Sequence, residues 1–277
     1  MKFFDLEKQK MFKHGKYVYS VLVIITLATV LVAITISYSS FINKKGVPQK
    51  NGSFLSCGTL LEKSEDFGQE YIDKIIFLGE STTYGLQKYA VLSDGLDTKQ
   101  VWTGATISNN QAVSSGTLSL SPSIADTRIF FPDTKQAVTI GEAVKLKNPE
   151  YLIITLGLNN GASYYTEEKF KSCYRILIDS VKCSSGSTKI ILQSLFPVAS
   201  YCGINAYTPS RISECNKWIY ELAEEYDIKY LNTFEVLADE NGYMKIEYDN
   251  GGDGIHLNAI GLKAVLEYIK SHGYREK

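Results

Sequence analysis

The sequence predicts an α/β domain built on a parallel sheet with helices on both faces, joined to one transmembrane helix near its N-terminus. Two observations lead there. Over residues 71–277, short apolar runs alternate with longer stretches of helical periodicity. Such alternation implies parallel strands, because a crossover helix is what returns the chain to begin the next strand in the same direction. Over residues 17–43 there is no charged side chain, and 18–36 (VYSVLVIITLATVLVAITI) is almost wholly apolar.

From the N-terminus, residues 1–16 read as a cytoplasmic segment and 17–41 as a transmembrane anchor. About 20 apolar residues cross the hydrocarbon core of a bilayer, whereas the apolar part of a cleavable signal peptide runs to only about 7–15. No A-x-A cleavage site follows, so an uncleaved anchor is the preferred reading. Lys2, Lys8, Lys10, Lys13 and Lys16 precede the span, against Lys44, Lys45 and Lys50 after it. That excess puts the N-terminus inside and the large domain outside, at the cell membrane. Residues 42–70 are polar, contain Gly and Pro, and read as a linker to a domain over 71–277.

Strands are expected at 75–78, 100–103, 151–156, 189–195 and 228–231. Phe170, Cys173, Tyr174, Leu177, Ile178 and Val181 trace one apolar helical stripe, with Thr166 as its cap. Ile212, Cys215, Ile219, Leu222, Ala223 and Tyr226 trace a second, with Pro209 near its start. Leu262, Val265, Leu266 and Ile269 trace a third, after Asn258. The stretch 104–134 is rich in Ser, Thr and Asn and is expected to form a lid or a small hairpin. In open parallel sheets ligands bind beyond the carboxyl ends of the strands, which singles out the residues after each one.

Charge and cysteine usage narrow the function. With 29 basic and 30 acidic side chains there is no electrostatic footprint for nucleic acid. Cys57, Cys173, Cys183, Cys202 and Cys215 show no metal-ligand spacing, and neither a metal nor a cofactor is expected. Cys173 and Cys183 lie ten residues apart on one helix, about 15 Å, too far to bridge. Cys202 and Cys215 are readable either as a loop-closing pair or as buried thiols.

Three motifs carry chemistry. In "IIFLGESTTYGL" (75–86), Ser81 stands between a strand and a helix, as a nucleophile or as a helix cap. The G-x-S-x-G elbow is absent, since Thr83 replaces its second glycine. There are three histidines: His14 precedes the apolar span, His272 reads as a solvated residue of the last helix, and His256 remains as the candidate base. His256 follows Asp253 by three residues in "GGDGIHLNAIG", where the carboxylate could hold Nδ1 and leave Nε2 free, or Asp253 could merely cap a turn. In "ITLGLNNG" (154–161), Asn159 could donate to an oxyanion or form part of an Asn-Asn-Gly turn.

Together, Ser81 after the first strand, Asn159 after the third and Asp253-x-x-His256 before the final helix resemble the SGNH (GDSL-like) hydrolase family over residues 74–273. The "VWT…SGTLSL" wording further resembles a membrane-anchored branch found in Gram-positive bacteria. The resemblance implies a three-layer α/β/α flavodoxin-like fold with a five-stranded parallel sheet. It implies Ser81 as nucleophile, His256 as general base and then acid, and Asp253 as its orienter. The Ser81 N–H and the Asn159 side chain would form the oxyanion hole, with Gly116 (or Gly104) as a further donor. Two positions depart from the family pattern: Glu80 replaces the usual aspartate before the nucleophile, and Asn160 replaces the aspartate after Asn159.

The expected activity is therefore a serine esterase acting outside the membrane on short-chain, chiefly O-acetyl, esters of a small molecule or cell-surface glycan. An O-acyltransferase of the same family and an inactive glycan-binding module remain open alternatives. Tyr164, Tyr165, Tyr201 and Tyr207 are candidate stacking faces near the site. Oligomeric state is left open.

Overall fold

A computed structural model describes residues 58–275 of the chain. The readings of 1–16 and 17–41, the first part of the linker, His14 and Cys57 lie outside the described residues. Among the described residues, no helix is long and apolar enough to cross a membrane.

The centre is a five-stranded parallel sheet made of β1 (Ile75–Gly79), β2 (Val101–Trp102), β7 (Tyr151–Thr155), β8 (Lys189–Gln193) and β9 (Lys229–Leu231). Its spatial order is β2-β1-β7-β8-β9, the doubly wound flavodoxin-like arrangement. All five expected strands are present, most of them a residue or two shorter than their apolar runs. Registers are regular, with Phe77 beside Val101 on one side and Ile153 on the other.

Alternation along each strand splits the core in two. Ile76, Leu78, Leu152, Ile154, Ile190 and Leu192 face α3 (Ile140–Lys147), α4 (Glu167–Ser184) and α5 (Pro209–Glu225). Ile75, Phe77, Tyr151, Ile153 and Ile191 face α1 (Gly68–Asp73), α2 (Ser81–Lys88), α6 (Phe234–Leu237) and α7 (Ala259–Lys270). Burial on both faces explains why these strands read as continuous apolar runs. The helix starts follow their sequence signals: Thr166, Thr208 and Asn258 accept amides of Lys169, Arg211 and Ile260, and Pro209 is the first residue of α5.

The stretch after β2 forms two antiparallel hairpins, β3 (Ala105–Ser108) with β4 (Gln111–Ser114) and β5 (Arg128–Phe131) with β6 (Gln136–Thr139). Asn109 and Asn110, both at positive φ, make the first a two-residue turn. The end of the region read as linker is part of the domain. Leu60 bridges Tyr230 on the outer side of β9, Leu61 is buried, and α1 buries Tyr71 and Ile72.

His272 corrects another expectation. It is 6% exposed, stacks on Tyr268 at 3.7 Å between ring centroids, and places Nδ1 2.8 Å from Tyr268 O. Cys173, Cys183, Cys202 and Cys215 are free thiols, with Cys173 and Cys215 in the core.

A short strand-to-helix site at the sheet switch point

The strand order reverses between β1 and β7, so the loops after them diverge and open a crevice. Ser81 and Asn159 lie on those two loops. Gly79 ends β1 where no side chain fits: a Cβ there would lie 2.6 Å from Thr155 O and 2.1 Å from Thr83 Oγ1. Glu80 then holds extended backbone (φ −87°, ψ −163°) in the N-cap position, and Ser81 is the first residue of α2. The capping reading of Ser81 therefore fails, because the cap position belongs to Glu80, whose side chain makes no capping bond. As the first helical residue, Ser81 has an N–H without a partner inside the helix.

The opposite wall is the loop before α7. Asn250 N donates to His256 O at 3.1 Å, which closes the loop, and Ala199 N donates to Gly254 O at 2.7 Å, which pins it from within. Gly254 takes φ +71°, and a Cβ on it would press on Ala199 and Cys202. Within this loop Asp253 Oδ1 accepts the amides of Ile255 (2.8 Å) and His256 (3.1 Å). Asp253 Oδ2 lies 2.6 Å from His256 Nδ1, and His256 Nε2 lies 2.8 Å from Ser81 Oγ. Partial burial works against the Asp253 charge, but the two amides and the imidazole outweigh it and hold its carboxyl below the usual range. The three residues thus form one continuous hydrogen-bonded line.

Asn159 sits on a single wide turn, Leu158–Ala162, after β7. Its Nδ2 donates to Thr117 Oγ1 at 3.1 Å and to Leu118 O at 3.3 Å. Asn160, at φ 65°, turns its amide to Leu120 O at 3.3 Å. Gly157 sets up the turn at φ +118°, where a Cβ would come 2.7 Å from the Phe170 ring. Gly157→Ala is expected to cost about 2–4 kcal/mol from strain and overpacking together. An unchanged denaturation midpoint would contradict that account.

Of the two glycines considered for the oxyanion hole, Gly104 donates its N–H to Thr117 O at 2.7 Å. Gly116, at φ +69°, donates to the Ser114 hydroxyl at 3.0 Å and stands against the Tyr84 ring.

Glu80 has the role that sequence could not assign. Its side chain is 1% exposed and reaches across the switch point to the loop after β7. Its oxygens accept the N–H groups of Leu158 (2.9 Å) and Asn159 (2.7 Å). Burial pushes the carboxyl up to about 8, against the opposing pull of the Asn159 and Leu158 amides. The residue before Ser81 thereby holds the backbone of Asn159.

A cleft of ≈ 420 Å³ opens beside Ser81, lined by Thr82, Tyr84, Lys88, Tyr89, Asn250 and His256 among others. A larger one of ≈ 500 Å³ includes Lys74, Lys147 and Glu150 at the amino ends of the strands, away from Ser81. The tyrosines singled out from sequence do not line the cleft beside Ser81. Tyr164 is exposed, Tyr165 and Tyr207 donate to Leu120 O and Leu158 O, and Tyr201 donates to Asp249. Tyr84 and Tyr89 take the expected place beside the site; Tyr84 and Lys88, at three and seven residues from Ser81, were readable from helical spacing. Among the described residues no group of three or more His, Cys, Asp or Glu is placed to hold a metal ion.

No curated protein matches this chain. Among solved structures, a candidate platelet activating factor from Streptococcus pneumonia is 19% identical at TM-score 0.49, over 73% of this chain and 84% of that one. A candidate G-D-S-L family lipolytic protein from Desulfitobacterium hafniense DCB-2 is 16% identical at TM-score 0.48, over 71% and 97%. A GDSL-like lipase from Bacteroides thetaiotaomicron VPI-5482 is 18% identical at TM-score 0.43, over 72% and 87%. The sequence model of the GDSL-like Lipase/Acylhydrolase family matches residues 77–264, from the middle of β1 into α7. That match takes in the greater part of the chain, which therefore belongs to the GDSL-like lipase/acylhydrolase family, and the protein is a serine carboxylic ester hydrolase.

Proposed function

We propose that the protein removes short acyl groups, O-acetyl above all, from cell-surface glycans by a two-step transfer through Ser81. The observation that carries this reading is the unbroken line from Asp253 through His256 to Ser81 Oγ at the mouth of a cleft. Asp253 accepts the Nδ1 proton, which leaves Nε2 as the acceptor facing Ser81. As Oγ bonds to the ester carbonyl carbon, its proton passes to Nε2. The imidazolium then protonates the departing alkoxide, the C–O bond breaks, and the acyl group stays on Ser81. Water gives its proton to Nε2 and adds to the acyl carbon, and Ser81 leaves with that proton as the free acid departs.

The negative charge on the carbonyl oxygen is met by the Ser81 N–H and the Asn159 side chain, with Gly116 as third donor. Gly116 is preferred over Gly104 because its N–H is held by a rotatable hydroxyl, whereas that of Gly104 is held by a backbone carbonyl. Of the two Asn159 contacts, the 3.3 Å one to Leu118 O is the more readily exchanged for the oxyanion. The modest, partly polar cleft suits a small acyl group. The uncharged 17–43 stretch supports an anchored, extracytoplasmic enzyme, to which surface glycans would be accessible.

Acyl chain length tests the substrate class. Turnover of p-nitrophenyl esters is expected to be fastest with acetate and to fall at least tenfold by octanoate, with acetate released from O-acetylated glycan. Faster octanoate turnover, with no acetate released from glycan, would refute the reading.

A further inference from the structure

Helix α2 places Ser81, Tyr84, Gly85 and Lys88 at i, i+3, i+4 and i+7, which is one face of the helix. That face is one wall of the ≈ 420 Å³ cleft, and Asn250, Asp253, His256 and Leu257 supply the facing wall. Seven residues advance the helix by about 10 Å, so Lys88 stands roughly that far along the cleft from the nucleophile. Between them Gly85 contributes no side chain, and its Cα rests close to Leu262, 3.1 Å from where a Cβ would lie.

The charges along this path are unequal. Asp253, the one carboxylate lining the cleft, is committed to His256. Lys88 is its one cationic side chain, is exposed, and has no carboxylate partner among the described residues. By contrast Lys171, on α4, is bracketed by Glu167 and Glu221. The Lys88 ammonium instead stands 5.6 Å from the centre of the Tyr89 ring, a second cleft residue. A lysine in the last turn of a helix is ordinarily explained by the helix dipole and by solvation. Neither requires it to share the nucleophile's face or to line the same cleft.

We propose that the ester substrate carries an anionic group, carboxylate or phosphate, on its alcohol portion about 10 Å from the scissile bond, and that Lys88 is the specificity-determining residue that receives it. The anion belongs to the alcohol because a short acyl group bound at Ser81 does not reach that far. Tyr84 and Tyr89 offer flat faces to the sugar rings in between. The inference rests on the ester-hydrolase reading of Ser81 and refines it, from glycan esters in general to esters of acidic glycans.

The test compares O-acetylated oligogalacturonate with its carboxyl-reduced, neutral counterpart, and an O-acetylated sugar phosphate with its dephosphorylated form. An exposed ion pair predicts about three- to tenfold higher kcat/KM for at least one anionic member, shrinking with added salt. Lys88→Gln should bring that ratio to about one and Lys88→Glu below one, with melting temperatures unchanged, and the arm that responds identifies the anion. A ratio near one on both arms in the parent, or a ratio that Lys88→Gln leaves intact, overturns the proposal. Calorimetry on Ser81→Ala protein with unesterified oligogalacturonate and with sugar phosphate separates binding from chemistry. Binding weakened by adding Lys88→Gln supports the proposal even if ester turnover fails, in which case the fault lies with the hydrolase reading. Binding of both ligands that Lys88→Gln leaves unchanged counts against the proposal even if turnover is normal.

Discussion

Replacing Ser81 with alanine is expected to lower kcat/KM for p-nitrophenyl acetate by about 10⁴-fold or more while leaving the melting temperature nearly unchanged. Among the described residues Ser81 Oγ has one partner, His256 Nε2 at 2.8 Å, so on the proposed mechanism its loss removes the attacking atom without opening the core. His256→Ala should cost a similar factor, since without the imidazole the hydroxyl proton has no acceptor. Asp253→Asn should cost about 10³–10⁴-fold, because an amide facing Nδ1 favours the wrong tautomer. The informative variant is the double Ser81→Ala/His256→Ala. Because the imidazole acts through the hydroxyl, the double change should be no slower than the worse single one. Factors that multiplied instead would mean that the two residues act separately and that the 2.8 Å contact is incidental.

The second large effect belongs to Glu80. Its two oxygens satisfy the N–H groups of Leu158 and Asn159, and each keeps a lone pair for this when the carboxyl is protonated, whereas the glutamine NH2 cannot accept. In Glu80→Gln one buried N–H meets an amide donor, at a cost of about 1–3 kcal/mol. The same mismatch displaces Asn159, and a displacement of about 1 Å is worth on the order of 10²-fold in rate. Glu80→Asp, one methylene shorter, tests reach with the carboxyl group kept.

The pH dependence gives this residue its own signature. The Glu80 carboxyl ionises near 8 in the fold, chiefly because it is buried, and near 4.5 in the unfolded chain. Between those values the folded state holds a proton that the unfolded state has released, so stability falls as pH rises. The decline is at most about 1.4 kcal/mol per pH unit and levels off above the folded value. Denaturant titrations should therefore show the parent's advantage over Glu80→Gln largest near pH 5, and shrinking to nothing or reversing by pH 8–9. A gap that stays constant or widens with pH would contradict the account, as would parent-like kcat/KM in the variant.

How far the sequence foretold this arrangement varied with the range of the interaction. The central strands were legible because burial on both faces leaves near-continuous apolar runs such as IIFL and YLII. The starts of α4, α5 and α7 were legible because Thr166, Pro209 and Asn258 act within one turn of themselves. Signals for the hairpins and α3 were present but short. Asn109-Asn110 is a two-residue turn, and Thr139 with Glu142 is a full capping box, each set in a polar stretch without strong periodicity. Leu60 and Leu61 sit among polar residues, and no local pattern tells a docked extended segment from a linker.

Within the site, the Asp253–His256 spacing was legible because a four-residue turn closes it. The meeting of Glu80 with Leu158 and Asn159 was not, since it joins residues 78 and 79 positions apart. Tyr84 and Lys88 shared helical spacing with Ser81 all along, but spacing names a face and not what opposes it. The facing wall, at Asn250 and Leu257, comes from the far end of the chain.

The central claim is that Ser81 forms a covalent bond to the substrate's carbonyl carbon, and the most direct measurement is active-site labelling. The protein is treated with a fluorophosphonate, digested, and the modified peptide is sequenced by mass spectrometry. The expected result is an adduct on Ser81, absent in Ser81→Ala and formed much more slowly in His256→Ala. An adduct on a different serine, or full ester turnover with Ser81 unmodified, would contradict it.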